Sequence, residues 1–111
     1  MKRIAICDDS EIERQIFSEM LKEYWRMLHR QVEIVEYNNG EALIADVEED
    51  ECHVELIFLD IYMTGINGLE TARKLRKLNC SANIVFLTGT AEYALESYEV
   101  GGFWLFDKAS G

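Results

Sequence analysis

Proline is entirely absent from the 111 residues. That excludes a proline-rich linker, and no low-complexity tract or internal repeat marks a second domain. Cysteine is scarce: Cys7, Cys52 and Cys80 are widely spaced and odd in number, with no CxxC pair. They predict neither a disulfide framework nor a zinc site, only reduced, mostly buried thiols. No apolar run approaches the ~20 residues that span a bilayer. In "MKRIAICDDS" the apolar run is cut by Asp8 and Asp9 before a signal-peptide core could form. A cytoplasmic protein without membrane contact is the expectation. Positive charge is short as well, 11 Lys and Arg against 21 Asp and Glu, for a net charge of −10. This disfavours direct binding of nucleic acid by the segment and suits a hard cation or a basic partner surface. The acid-rich stretch from Glu41 to Glu55 lacks the ligand spacing and glycine of a calcium loop and reads as a solvated helix end. Neither a P-loop nor GxGxxG is present, which argues against a nucleotide-binding enzyme.

What is there alternates between two periods. "RIAIC" reads as a short apolar strand. "SEIERQIFSEMLKEYWRML" reads as a one-faced helix through Ile12, Ile16, Phe17, Met20, Leu21, Tyr24, Trp25 and Leu28. Ser10 is its N-cap and Glu13 the capping-box partner. Strands follow in "VEIVEY", "VELIFLD", "NIVFLT" and "FWLF", and helices in "EALIADVEE", "GLETARKLRKL" and "AEYALESYEV". The near-continuous apolar character of the third strand suits a parallel sheet covered on both faces. Five strands alternating with four helices across short loops predict one α/β domain over residues 1–111. The expected fold is a doubly wound parallel sheet with right-handed crossovers.

In such a sheet, sites form beyond the carboxyl ends of the strands. Those ends supply Asp8 and Asp9 from the first strand, Asp60 from the third, Thr88 from the fourth and Lys108 after the fifth. Three carboxylates cannot share a pocket uncompensated. A like-charge pair ~4 Å apart repels by about 1 kcal/mol in water and about 4 kcal/mol near a protein surface. A divalent cation and one ammonium would balance the set, and Mg2+ accepts one or two carboxylates with retained waters and a phosphate oxygen. The combination points to metal-assisted phosphoryl chemistry with one carboxylate as the attacking group. Singly, the residues have plainer readings: Asp8 and Asp9 as helix caps, Asp60 as a turn acid, Thr88 and Lys108 as structural or solvated groups. His29 and His53 lie outside the set, and Cys7, Phe17, Tyr24 and Trp25 read as core.

Taken together, "CDDS", "LDIYMTGINGLE", "FLTGTAEYALESYEVGG" and Lys108 resemble the receiver domains of bacterial two-component response regulators, over essentially the whole chain. The segment "TAEYALESYEVGGF" is most similar to receivers of LytTR-type transcription regulators. The resemblance implies a flavodoxin/CheY-like sheet of strand order 2-1-3-4-5. It implies Asp60 as the phosphoacceptor, served by a sensor histidine kinase. Asp8 and Asp9 would hold Mg2+, joined by Asp60 and the backbone carbonyl of Tyr62. Thr88 and Lys108 would contact the phosphoryl oxygens, and Gly68 would be the turn glycine that opens the third helix. Such a domain is a switch that regulates an effector, not a turnover enzyme; a degenerate receiver acting as an interaction module is the alternative. An aspartyl phosphohydrolase is disfavoured because no second acid lies two residues after Asp60.

Five positions depart from the family pattern, among them Asp107, where an apolar residue is usual. Thr64 stands where proline is usual, and Ala109 follows Lys108 in place of proline. Leu105 occupies the aromatic switch position. Trp104 replaces an acid common in the LytTR-type subgroup. A cis bond before a non-proline costs ~2.5–4 kcal/mol, so the Lys108–Ala109 bond is expected to be trans. The family's fifth helix is not reached before Gly111: either the sequence is a piece of a longer regulator, or another copy covers the open sheet face, and self-association as a homodimer or by C-terminal exchange is the expectation.

Overall fold

A computed structural model describes residues 2–50, 53–88 and 92–106, with the backbone alone at residues 50, 88 and 103–106. The elements run β1 (Lys2–Cys7), α1 (Glu11–Met27), β2 (Val32–Tyr37), α2 (Gly40–Asp50), β3 (Leu56–Asp60), α3 (Gly68–Lys77), β4 (Asn83–Thr88), α4 (Ala94–Glu99) and β5 (Phe103–Phe106). All strand pairs are parallel, and the sheet order is β2-β1-β3-β4-β5. Chain order and sheet order diverge at β1, where the winding reverses, and a crevice opens beyond the carboxyl ends there. The expected helix over 91–100 is shorter, Ala94–Glu99. The expectations of a missing final helix, a trans Lys108–Ala109 bond and C-terminal exchange, and the departures read at Asp107 and Ala109, fall on residues 107–111, outside the described residues.

The central strands are apolar on both faces because helices cover both. On one side Ala5, Cys7, Ile57, Leu59, Ile84 and Phe86 pack with Leu43, Ile44 and Val47 of α2 and with Leu69, Ala72 and Leu75 of α3. On the other, α1 rests chiefly on β1 and β2, and Phe17 meets Phe58 of β3 edge to face at 4.8 Å. α1 is not the one-faced helix its pattern predicted. Phe17, Ser18, Leu21 and Trp25 turn toward the sheet, whereas Ile12, Ile16, Met20 and Tyr24 run down an exposed flank in steps of four. Tyr24, expected in the core, is 55% exposed and lies edge to face with Trp25. A helix lying on a sheet buries a stripe narrower than this apolar arc, and periodicity does not say which part is used.

The helix ends follow local rules. The Ser10 hydroxyl accepts from the Glu13 N–H at the start of α1, as expected, but the Ser10 N–H donates to Asp8 Oδ1 and not to Glu13, so the expected capping box is only half made. At α3, the Asn67 side chain accepts from the Glu70 N–H while Glu70 accepts from the Asn67 N–H, a capping box legible as N-x-x-E. α1 and α3 each stop with a left-handed residue, His29 (φ 56°) and Asn79 (φ 62°). After each, paired N–H donations run back into the last turn: His29 and Arg30 to Arg26 and Trp25, Asn79 and Cys80 to Arg76 and Leu75. His29 is thus a helix stop. Arg76, at the end of α3, donates to the carbonyls of Cys80, Ala82, Val100 and Gly101. One guanidinium thereby ties α3 to the segments entering β4 and β5.

The cysteines divide. Cys80 is disulfide-bonded, against the expectation of a reduced thiol; spacing along a chain carries no information about which thiols the winding brings together. Cys52 lies outside the described residues. Cys7 is free and fully buried at the end of β1, with its Sγ 3.7 Å from the Met63 sulfur. Burial first, then the carboxylates of Asp8 and Asp60, push its pKa up to about 12. The thiolate is the reactive form, so native Cys7 should resist iodoacetamide at pH 8 and react once the chain is unfolded in guanidinium, as read by intact mass. Rapid labelling of the native protein would contradict the buried placement. At Gly68 an added Cβ would lie 2.3 Å from the Asp60 carbonyl oxygen and 2.9 Å from Ile61 Cα. Both are backbone atoms that cannot swing aside. Gly68→Ala should therefore lower stability by about 1–3 kcal/mol in urea unfolding, as overpacking does.

Candidate functional site

The parallel register sets the site. Cys7 of β1 pairs with Leu59 of β3, so the next residues, Asp8 and Asp60, leave the sheet side by side. Asp8 is 3% and Asp60 2% exposed, while Asp9 is open to solvent. Carboxylate oxygens of the three lie within 4.8 Å of one another. Two buried acids and one exposed acid at that separation form an all-oxygen donor set, and that set fits a hard divalent cation such as Mg2+.

Each acid is held differently. Asp8 Oδ1 accepts from the Ser10 N–H at 2.9 Å, and the Asp8 N–H donates to the Tyr37 carbonyl at 3.1 Å. The Asp8 carbonyl accepts from Arg14 at 2.7 Å, and Arg14 is itself paired with Glu36 at 3.0 Å. Asp9 Oδ2 accepts from both the backbone N–H and the hydroxyl of Thr64, at 2.9 and 3.0 Å. Asp60 ends β3, and the turn after it is pinned by Ile61 N–H to Leu87 O at 3.4 Å and by Gly68 N–H to Ile61 O at 2.9 Å. The close approach of α3 to the Asp60 carbonyl is what demands glycine at 68, the position singled out for it.

Of the residues expected at the site, the structure brings Asp8, Asp9 and Asp60 together. Thr88 is the last residue of β4, one position beyond the Leu87 that pairs with Asp60. Its side chain, like the whole of Lys108, lies outside the described residues. Tyr62 stands in the turn two residues after Asp60. Its phenol donates to Glu92 at 2.8 Å and packs edge to face on Tyr93 at 5.6 Å, linking the β3 turn to the start of α4. The Glu92 carboxylate holds the Tyr62 proton and raises that pKa to about 12. Arg14, the Tyr62–Glu92 bond and the Thr64–Asp9 pair were not foreseen. They join loops far apart in the chain, and only the Thr64 position, through its departure from the family pattern, carried any signal.

A cavity of about 470 Å³, lined by Asp9, Asn38, Asn39, Glu41, Thr64 and Gly65, opens beside the carboxylates. A second, of about 520 Å³, is lined by Arg3, Tyr37, Asp46 and His53 among others and shares no residue with the acidic set. The first adjoins the acidic set through Asp9, and on that ground it is the candidate functional crevice.

The response regulator receiver domain profile matches residues 4–110. The chain is 32% identical over 100 residues to the sensory transduction protein LytT of Bacillus subtilis, covering 90% of this chain and 39% of that protein. It is 28% identical over 102 residues to the transcriptional regulatory protein YpdB of Escherichia coli, covering 91% of this chain and 39% of that protein. The chain thus spans about two-fifths of the length of these relatives. Among solved structures, it is similar to the response regulator TrrA of Thermotoga maritima in complex with Mg2+ and BeF. That match has 32% identity and a TM-score of 0.71, over 96% of this chain and 86% of that one. The chemotaxis protein CheY4 of Vibrio cholerae shares the fold at a TM-score of 0.76 and 22% identity, over 96% of this chain and 86% of that one. With a profile match over nearly its whole length, the chain belongs to the response regulator receiver domain family.

Proposed function

We propose that this domain is the phosphoacceptor of a two-component system, taking a phosphoryl group from a sensor histidine kinase onto Asp60. The observation that carries the reading is the acidic cluster. Asp60 is buried at the end of β3, with an oxygen within 4.8 Å of oxygens on both Asp8 and Asp9. Three carboxylates gathered this closely repel one another, and a divalent cation between them would offset that repulsion. A bound Mg2+ would screen the carboxylates and the incoming phosphoryl oxygens. Asp8 and Asp9 hold the cation on this reading, with Asp60 and the carbonyl of Tyr62 beside them.

In the transfer, a carboxylate oxygen of Asp60 forms a bond to phosphorus as the P–N bond of the kinase phosphohistidine breaks; with the other ring nitrogen already protonated, the leaving group departs as a neutral histidine and an acyl phosphate remains. Lys108 and Thr88 would meet the phosphoryl oxygens from β5 and β4. Turnover is not the product of this chemistry: the acyl phosphate biases a two-state surface that regulates an effector, here transcription by analogy with the relatives. The domain would work in the cytoplasm, where such kinases present their phosphohistidine.

Incubation with Mg2+ and acetyl phosphate or phosphoramidate should give a single phosphoryl adduct by intact mass. The adduct should vanish in Asp60→Asn and in excess EDTA. A wild-type protein that stays unmodified under these conditions would favour the degenerate interaction module instead.

A further inference from the structure

Asp9 is the exposed member of the cluster, and Thr64 is what fixes it. The Thr64 N–H and hydroxyl both reach the same oxygen, Oδ2, across 55 residues of sequence. An ionised carboxylate only accepts, so the hydroxyl is the donor. An sp2 oxygen has two lone pairs, and two donors fill them; Oδ1 is left as the oxygen open to a cation. The loop is shaped for this contact. Gly65, at φ +82°, turns the chain immediately after Thr64, and the Glu41 carboxylate closes on its far side. Proline at 64 would remove the N–H and the hydroxyl at once.

We propose that Thr64 is a positioning residue for the metal, holding the Asp9 carboxylate so that Oδ1 faces the site, and that it thereby sets the cation affinity. The inference rests on the metal reading above. Two hydrogen bonds to one oxygen fix the rotamer of an exposed side chain that would otherwise turn freely in water. Partners of this kind are worth 10- to 100-fold in metal affinity where they have been removed. The alternative is competition, in which Thr64 draws Asp9 away from the cation. The two roles predict opposite signs.

The test is a calorimetric titration of the unphosphorylated protein with Mg2+. Thr64→Val, which keeps the shape and the N–H but loses the hydroxyl, should weaken binding about tenfold. Thr64→Pro should weaken it further, and Thr64→Ser, with both donors, should stay within about twofold of the wild type. Thermal unfolding in EDTA should differ little between the Val and Ser variants, separating loss of metal affinity from loss of fold. Equal or tighter binding by Thr64→Val overturns the positioning role while the wild type still binds. A wild type that binds no Mg2+ overturns the metal reading, and this inference with it.

Discussion

Parallel pairing of β1 with β3 is the constraint on which the site depends. With Cys7 opposite Leu59, the residue after each is an aspartate, Asp8 just beyond β1 and Asp60 as the last of β3. Charge is thereby concentrated where the sheet's low-dielectric core stops, and the surrounding structure is arranged around that repulsion. Asp8 is tied into the Ser10 turn and backed by Arg14, Asp9 is pulled toward Thr64, and Asp60 is sealed beneath the start of α3. A one-residue slip of β1 against β3 would turn alternate side chains to the opposite face and separate the acids.

The loop from Ile61 to Asn67 is the connector between this charge and the rest of the surface. It meets β4 through the Ile61 N–H, α1's approach through Asp9, and α4 through Tyr62 and Glu92. Three neighbouring elements thus share one short segment that begins just after Asp60, the residue proposed as the phosphoacceptor. A change of charge at Asp60 acts on a turn already bonded to each of them, with no need for a longer path through the core.

Much of this was legible in the sequence, for identifiable reasons. Strand and helix periods located every element to within a few residues, because buried parallel strands are apolar throughout and the helices between them are not. The acids at 8, 9 and 60 could be grouped because strand ends in such a sheet are the one place where distant residues must meet. Periodicity failed at α1, where Ile12, Ile16 and Met20 extend the apolar arc beyond what the sheet covers. It also could not reveal that Thr64 would bond to Asp9, since the pairing of two loop side chains depends on turn geometry and not on residue type. The state of Cys80 was illegible for the same reason: a thiol's partner is chosen by folding.

Arg76 has a consequence for how this chain can vary. Its donors end on carbonyls of the α3–β4 connection and of the turn that enters β5. Both connections are thereby held to fixed lengths, since an inserted residue in either would strand part of a half-buried guanidinium. Lysine could not take its place, having a point charge where a planar fork spans several acceptors. One side chain thereby resists a change of length in two connections at once.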